Sequence, residues 1–299
     1  MNSDQETELL KKMKEHLNQL YDPADSFYIR RITGGSINKV YAVQTKKQTY
    51  LLKVNHQAPA RFFECEAAGL DEIKNTQTIN VPEVFAYKDR RTEGEAGYLL
   101  AEWIQGEKTK DTERMLGEKL AALHSFPVPK KYGLEQDNFI GSLPQLNGIF
   151  SSWTVYFLKK RILPQVERET AETGMHTARK QKLYKLMERM EKVIPEYPRA
   201  SLLHGDLWGG NWITGKNGEP VLIDPAVLYG HHEMDLAFTE LFGGFSSDFY
   251  QAYTHFQPLD QEYQDRKGLY QLFYLLVHLN LFGEAYGPPV DRILKKYLS

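Results

Sequence analysis

Residues 202–226 read LLHGDLWGGNWITGKNGEPVLIDPA, and this stretch constrains the fold more than any other. HGDLWGGNW mixes small, acidic and aromatic residues without a helical period, and Gly205, Gly209 and Gly210 permit tight backbone paths. NWIT, GKNGEP and VLIDP read as strand, turn and strand. Such a hairpin sets Asn211 at the start of one strand close to Asp224 at the end of its partner, with Asp206 in the preceding loop near the same end. Aspartate in a loop is most often a turn or cap former. Two carboxylates and an amide converging at a strand end instead offer oxygen ligands of the kind that suit Mg²⁺. One carboxylate is then left to act on a substrate hydroxyl.

That geometry is half of a phosphoryl-transfer site. The other half is a lysine for phosphate and an acid to hold it. Lys53 lies in the strand-like TYLLKVN (49–55), between Leu52 and Val54, where an unpaired charge would be costly. Its alternative is an edge-strand lysine facing solvent. The helix-like ARFFECEAAGLDEIKN (60–75) follows and offers Glu66 as partner. Glu64 competes, but a separation of two residues puts it on a different helix face. Upstream, Gly34, Gly35 and Ser36 of TGGSIN read as a turn over phosphates, with backbone N–H groups as donors. Alone, GGS would mark only a hairpin turn.

The rest of the chain fits two lobes. SFYIRRI (26–32), NKVYAVQT (38–45) and TYLLKVN form an antiparallel meander, and VPEVFAYKD and GYLLAEWI add two strands. Leu9, Leu10, Met13, Leu17 and Leu20 have helical spacing, as do Met115, Leu116, Leu120 and Leu123. Residues 151–193 and most of the tail from 236 also read as helical. The expectation is an α+β chain with a small N-terminal lobe (1–103), a hinge near 102–106 and a larger, mostly helical lobe (104–299). The 202–226 stretch is its main β-like island. A formal net charge of -2 provides no global field for nucleic acid or acidic membranes. No apolar run reaches the length of a membrane-spanning helix. One cysteine, Cys65, cannot close an internal disulfide, and the first residues lack a signal-peptide core, so a cytoplasmic setting is expected. Oligomeric state is not legible.

HGDLWGGN…LIDPA, with the upstream glycine loop, Lys53 and Glu66, resembles the protein-kinase-like phosphotransferases. More narrowly, the chain resembles the fructosamine kinase (ketosamine-3-kinase) family. GGSINKVYAV, RFFECEAAGL, LGEKLAALHS, and YGLEQDNFIGSLPQLNG with Asn138, Gln145 and Asn147 all resemble that family's blocks. So do LYGHHEMDLAFTELFGGFSSDFYQAY and LYQLFYLLVHLNLFG. The order is preserved over residues 26–287.

The resemblance implies a bilobal protein-kinase-like fold and ATP-dependent phosphorylation of the 3-hydroxyl of ketosamines, with later loss of the phosphate and release of the amine. It implies Asp206 as catalytic base, Asn211 and Asp224 as Mg²⁺ ligands, and Lys53 on the α/β-phosphates held by Glu66. It also implies backbone groups near Glu102 and Ile104 against adenine, and Trp208 against the sugar. Asp235 and His204 would brace the catalytic loop. His232 stands where relatives often have Arg, and the glycine loop lacks the cysteine tied to redox-controlled dimerisation in some members. The rival readings are an aminoglycoside, choline or homoserine kinase of the same fold, a binding module without turnover, and a protein kinase. An aminoglycoside enzyme would need an acidic cluster, for which Glu233, Asp235 and Glu240 are candidates. Against a protein kinase, the chain runs from IDPA straight to YGHHEMDLA, without a long activation segment.

Overall fold

All five expected N-terminal strands form, and they share one antiparallel sheet. In the computed structural model, which describes residues 11, 13–20, 22, 27–33, 37–92, 95–168 and 175–299, these are β1 (Tyr28–Ile32), β2 (Lys39–Gln44), β3 (Thr49–Asn55), β4 (Val84–Lys88) and β5 (Gly97–Glu102). The strand order is β1-β2-β3-β5-β4, which makes β3 central. Side chains alternate faces along a strand. Tyr50, Leu52 and Val54 pack with Met13 and Leu17 of the N-terminal helical segment. Lys53, paired in register with Val40 and Leu99, takes the opposite face. There α1 (Phe62–Asn75) packs Phe62, Phe63 and Ala67 against Leu99 and Ala101. Leu9 and Leu10 of the N-terminal helical pattern lie outside the described residues.

Residues 103–109 have no regular structure and lead to α2 (Thr112–Ser125). This linker rests on the hairpin of β9 (Trp212–Thr214) and β10 (Pro220–Leu222). A Cβ on Gly106 would lie 1.8 Å from the Gly215 carbonyl oxygen, and Thr112 donates its hydroxyl to the Gly218 carbonyl at 2.8 Å. The hairpin itself is as expected, with Trp212 opposite Leu222 and Thr214 opposite Pro220.

The second lobe holds two further small sheets. One pairs β6 (Asn138–Ile140) with β7 (Leu143–Gln145). The other pairs β8 (Ala200–Leu203) with β11 (Leu228–His231). The expected helices of 151–193 resolve into α3 (Trp153–Tyr156), a π-helical segment (Phe157–Ile162), α4 (Leu163–Glu167) and α5 (Thr177–Met190). Then come α6 (Glu233–Thr239), α7 (Ser247–Phe256), α8 (Tyr263–Phe282) and α9 (Gly287–Leu298). The lobe's main core gathers Trp153, Phe157, Leu228, Phe238, Tyr270 and Tyr274. This is the two-lobed α+β, protein-kinase-like arrangement that the resemblance implies.

Candidate active site

Between the Lys53 face of the sheet and the β9–β10 hairpin lies a cavity of about 810 Å³. Lys53, Glu66, Asp206, Asn211 and Asp224 all line it. Lys53 Nζ donates to the carboxylates of both Glu66 and Asp224. Burial works against the ammonium, but Asp224 and Glu66 outweigh it and hold its pKa above the ordinary lysine value. Glu64 is instead solvent-facing and pairs with Arg61 at 3.1 Å. Of the two acids, Glu66 is the one on the helix face toward Lys53.

The loop carrying Asp206 is fixed from below. Asp235, fully buried on α6, accepts the backbone N–H of His204 at 2.7 Å and of Gly205 at 2.9 Å. Gly205 has φ 82°, and a Cβ there would lie 2.0 Å from the Ala226 carbonyl oxygen, so only glycine fits. His204 Nε2 donates to the Ile223 carbonyl at 2.9 Å, which leaves Nδ1 to accept the Asp206 N–H at 3.2 Å. With Nδ1 accepting, the ring braces the Asp206 loop against the segment leading to Asp224, and burial lowers its pKa in the same sense.

Asn211 Nδ2 donates to the Asp206 carbonyl at 2.7 Å and to its carboxylate at 2.9 Å. With its nitrogen so occupied, the amide keeps its oxygen for a cation. Asp224, at φ 55°, holds a left-handed backbone unusual outside glycine. Both residues line the cavity, and an amide oxygen with a carboxylate there fits Mg²⁺, which takes one or two protein oxygens and completes its shell with phosphate and water. Burial raises the Asp206 pKa well above the usual carboxylate value, opposed by the Asn211 hydrogen bond.

Of the other expected positions, Gly34, Gly35 and Ser36 lie outside the described residues. Glu102 and Ile104 line the cavity. The Glu102 N–H is taken by the Glu83 carbonyl at 2.8 Å, so that donor is already engaged. Trp208 is 40% exposed at the cavity wall, joined there by Phe242, His278, Phe282 and Tyr286. The sequence reading missed those four as site residues. LFGGF and HLNLFG hold three of them and Tyr286 follows in EAYG, but aromatic residues near a helical run read as core. The three acids considered for a polycation are otherwise engaged. Glu233 is buried against Arg266 at 2.5 Å, Asp235 braces the loop, and Glu240 accepts from Lys267 at 2.7 Å. None lines the cavity.

His232 hydrogen-bonds through Nδ1 to the Tyr253 hydroxyl at 2.9 Å, not to a carboxylate. Burial, with nearby His124, pushes its pKa down to about 3. Folding thus favours neutral His232. The contribution is complete above the unfolded value of about 6.5 and is lost as pH falls toward the folded value. Unfolding free energies from urea titrations across this range should show a slope of about 1.4 kcal/mol per pH unit from this residue. His232→Gln should flatten the profile by that amount, and an unchanged slope would refute the assignment.

Comparison with known proteins follows the same lines. The family model described as Fructosamine kinase matches residues 9–299. A protein of Enterococcus faecium named "Probable ketoamine kinase" is 38% identical over 89% of this chain and 94% of its own length. An Arabidopsis thaliana protein named protein-ribulosamine 3-kinase, chloroplastic, is 36% identical over 90% of this chain and 82% of its own. Among solved structures, one from Haemophilus somnus, described as "Putative fructosamine-3-kinase", superposes with TM-score 0.83 at 27% identity. It covers 96% of this chain and 97% of that one.

Proposed function

The chain belongs to the fructosamine kinase family, and from that premise we propose that it phosphorylates the 3-hydroxyl of ketosamines, using Asp206 as base. It is an ATP-dependent phosphotransferase with an alcohol acceptor. The observation that carries the residue assignment is the convergence of Lys53, Glu66, Asp206, Asn211 and Asp224 on one cavity.

In this reading Lys53, held by Glu66, neutralises the nucleotide phosphates. Asn211 and Asp224 would hold Mg²⁺, which supplies charge neutralisation at the phosphates when bound. Asp206, oriented by Asn211, accepts the proton of the sugar hydroxyl as that oxygen attacks. Backbone groups near Glu102 and Ile104 take adenine, and Gly34, Gly35 and Ser36 cover the phosphates. Trp208 packs on the sugar-amine. Phosphoryl transfer needs positioning and charge stabilisation more than covalent chemistry, and fixed groups in a partly water-excluded cleft supply both. We also propose that the lobes divide at 103/104, supported by the end of β5 at Glu102 and the irregular segment after it. The unpaired Cys65 supports a reducing, cytoplasmic setting. Among the described residues no helix is long and apolar enough to cross a membrane.

An aminoglycoside acceptor is disfavoured because the Glu233, Asp235 and Glu240 carboxylates face away from the cavity into other pairings. The test is ATP consumption with fructosamines, ribulosamines and erythrulosamines, beside aminoglycosides and choline. Ketosamines are the expected acceptors. ATP consumption with none of them would overturn the proposal.

A further inference from the structure

Asn138, Gln145 and Asn147 belong to a sequence block that the chemistry above does not use, yet all three are buried. Asn138 opens β6 and Gln145 closes β7, directly opposite one another. Their donors leave the hairpin. Asn138 Nδ2 donates to the Val227 carbonyl at 2.9 Å. Gln145 Nε2 donates to the Ala226 carbonyl at 3.1 Å and to Asn138 Oδ1 at 3.0 Å. These carbonyls follow Asp224 closely in sequence, and the Ala226 oxygen packs on Gly205, the residue before Asp206. The Ala226 carbonyl therefore sits where the segment that follows Asp224 meets the Asp206 loop.

A side-chain amide can face either way unless its neighbours decide. Here the decision starts at Arg161, which lies on the π-helical segment with 0% exposure. A guanidinium only donates. Its Nη2 donates to Asn147 Oδ1 at 2.7 Å and to the Tyr156 hydroxyl, which itself donates to Asn147 Oδ1 at 2.7 Å. Nη1 donates to the Leu146 carbonyl at 2.7 Å. With its oxygen so engaged, Asn147 presents Nδ2 to Asn138 Oδ1 at 2.9 Å. Asn138 must then turn Nδ2 toward Val227. Reversing any amide would set acceptor against acceptor. Among the described residues no carboxylate forms an ion pair with Arg161. Burying such a charge is costly, and costs of this kind concentrate where a site must be held in one geometry.

We propose that Arg161 and the relay Asn147–Asn138–Gln145 are positioning residues for phosphoryl transfer, fixing the Ala226 and Val227 carbonyls and thereby the separation of Asp224 from Asp206. The inference rests on the roles assigned above to those two aspartates. Its test compares Gln145→Met, Arg161→Met and Arg161→Lys with the unaltered protein. Calorimetric titration with Mg·ADP and with metal-free ADP is run beside ketosamine phosphorylation. Methionine at 145 keeps the volume but removes both donors. Gln145→Met and Arg161→Met should weaken Mg·ADP binding about tenfold while metal-free ADP binding stays within about twofold. Arg161→Lys, still donor-only, should recover most of the loss. A purely structural role would change both nucleotide affinities together with the melting temperature. An unchanged ratio of the two affinities in folded Gln145→Met overturns the proposal. If the unaltered protein phosphorylates no ketosamine, the functional reading fails, while the calorimetric ratio still decides this inference.

Discussion

Asp206→Asn lowers kcat by about a thousandfold or more and leaves the KM for ATP within about threefold. Asparagine has the shape of aspartate, and the backbone carbonyl of residue 206 still accepts from Asn211. The Asp235 clamp on the His204 and Gly205 amides is also untouched. What disappears is the carboxylate proposed above to receive the hydroxyl proton. The loss therefore falls on the chemical step, and steady-state kinetics with ATP and ketosamine varied separately reads it. A kcat within tenfold of the unaltered protein would remove Asp206 from the role of base.

The second large effect is expected at Asp224. Its left-handed backbone is tolerated by Asn and Asp better than by Ala, so Asp224→Asn separates charge from strain and Asp224→Ala combines them. Both variants should lose at least about a hundredfold in Mg²⁺-dependent turnover, because charge neutralisation at the phosphates is lost. Lys53 keeps Glu66 as partner in either variant, so the sheet retains its buried ion pair. Mg²⁺ titrations of turnover check this. Intact ATP turnover on a ketosamine in either variant would refute the metal assignment.

Short-range patterns carried much of this into the sequence. The β9–β10 hairpin has a turn rich in Gly and Asn between apolar runs, and it brings Asn211 and Asp224 together without help from the rest of the fold. Lys53 and Glu66 were legible because a lysine among apolar strand residues calls for a partner and the next helix supplies one. The β8–β11 pairing was not legible: strands of four residues meet across more than twenty intervening positions, and the local signal is too short. The strands of β6–β7 lie only two residues apart, but at three residues each their local signal is too short as well. The wall of Phe242, His278, Phe282 and Tyr286 was hidden for another. Aromatic residues look alike in sequence whether they face a core or a cleft, and only the packing of α8 and the segments beside it decides. Arg161 reads as one of several basic residues in KKR, and its burial depends on the π-helical register of that segment.

Hairpin tips are ordinarily places where a chain accepts inserted residues. The β9–β10 tip is not one of them. It is wedged under the segment that joins the lobes, with Gly215 against Gly106 and the Gly218 carbonyl capped by Thr112. Extra length at residues 215–218 would have to lift that segment, and Ile104 with it, away from the cavity. Epitope tags and length variation belong elsewhere on this molecule, and a drifting relative that lengthens this turn must rebuild the cavity wall at Ile104 at the same time.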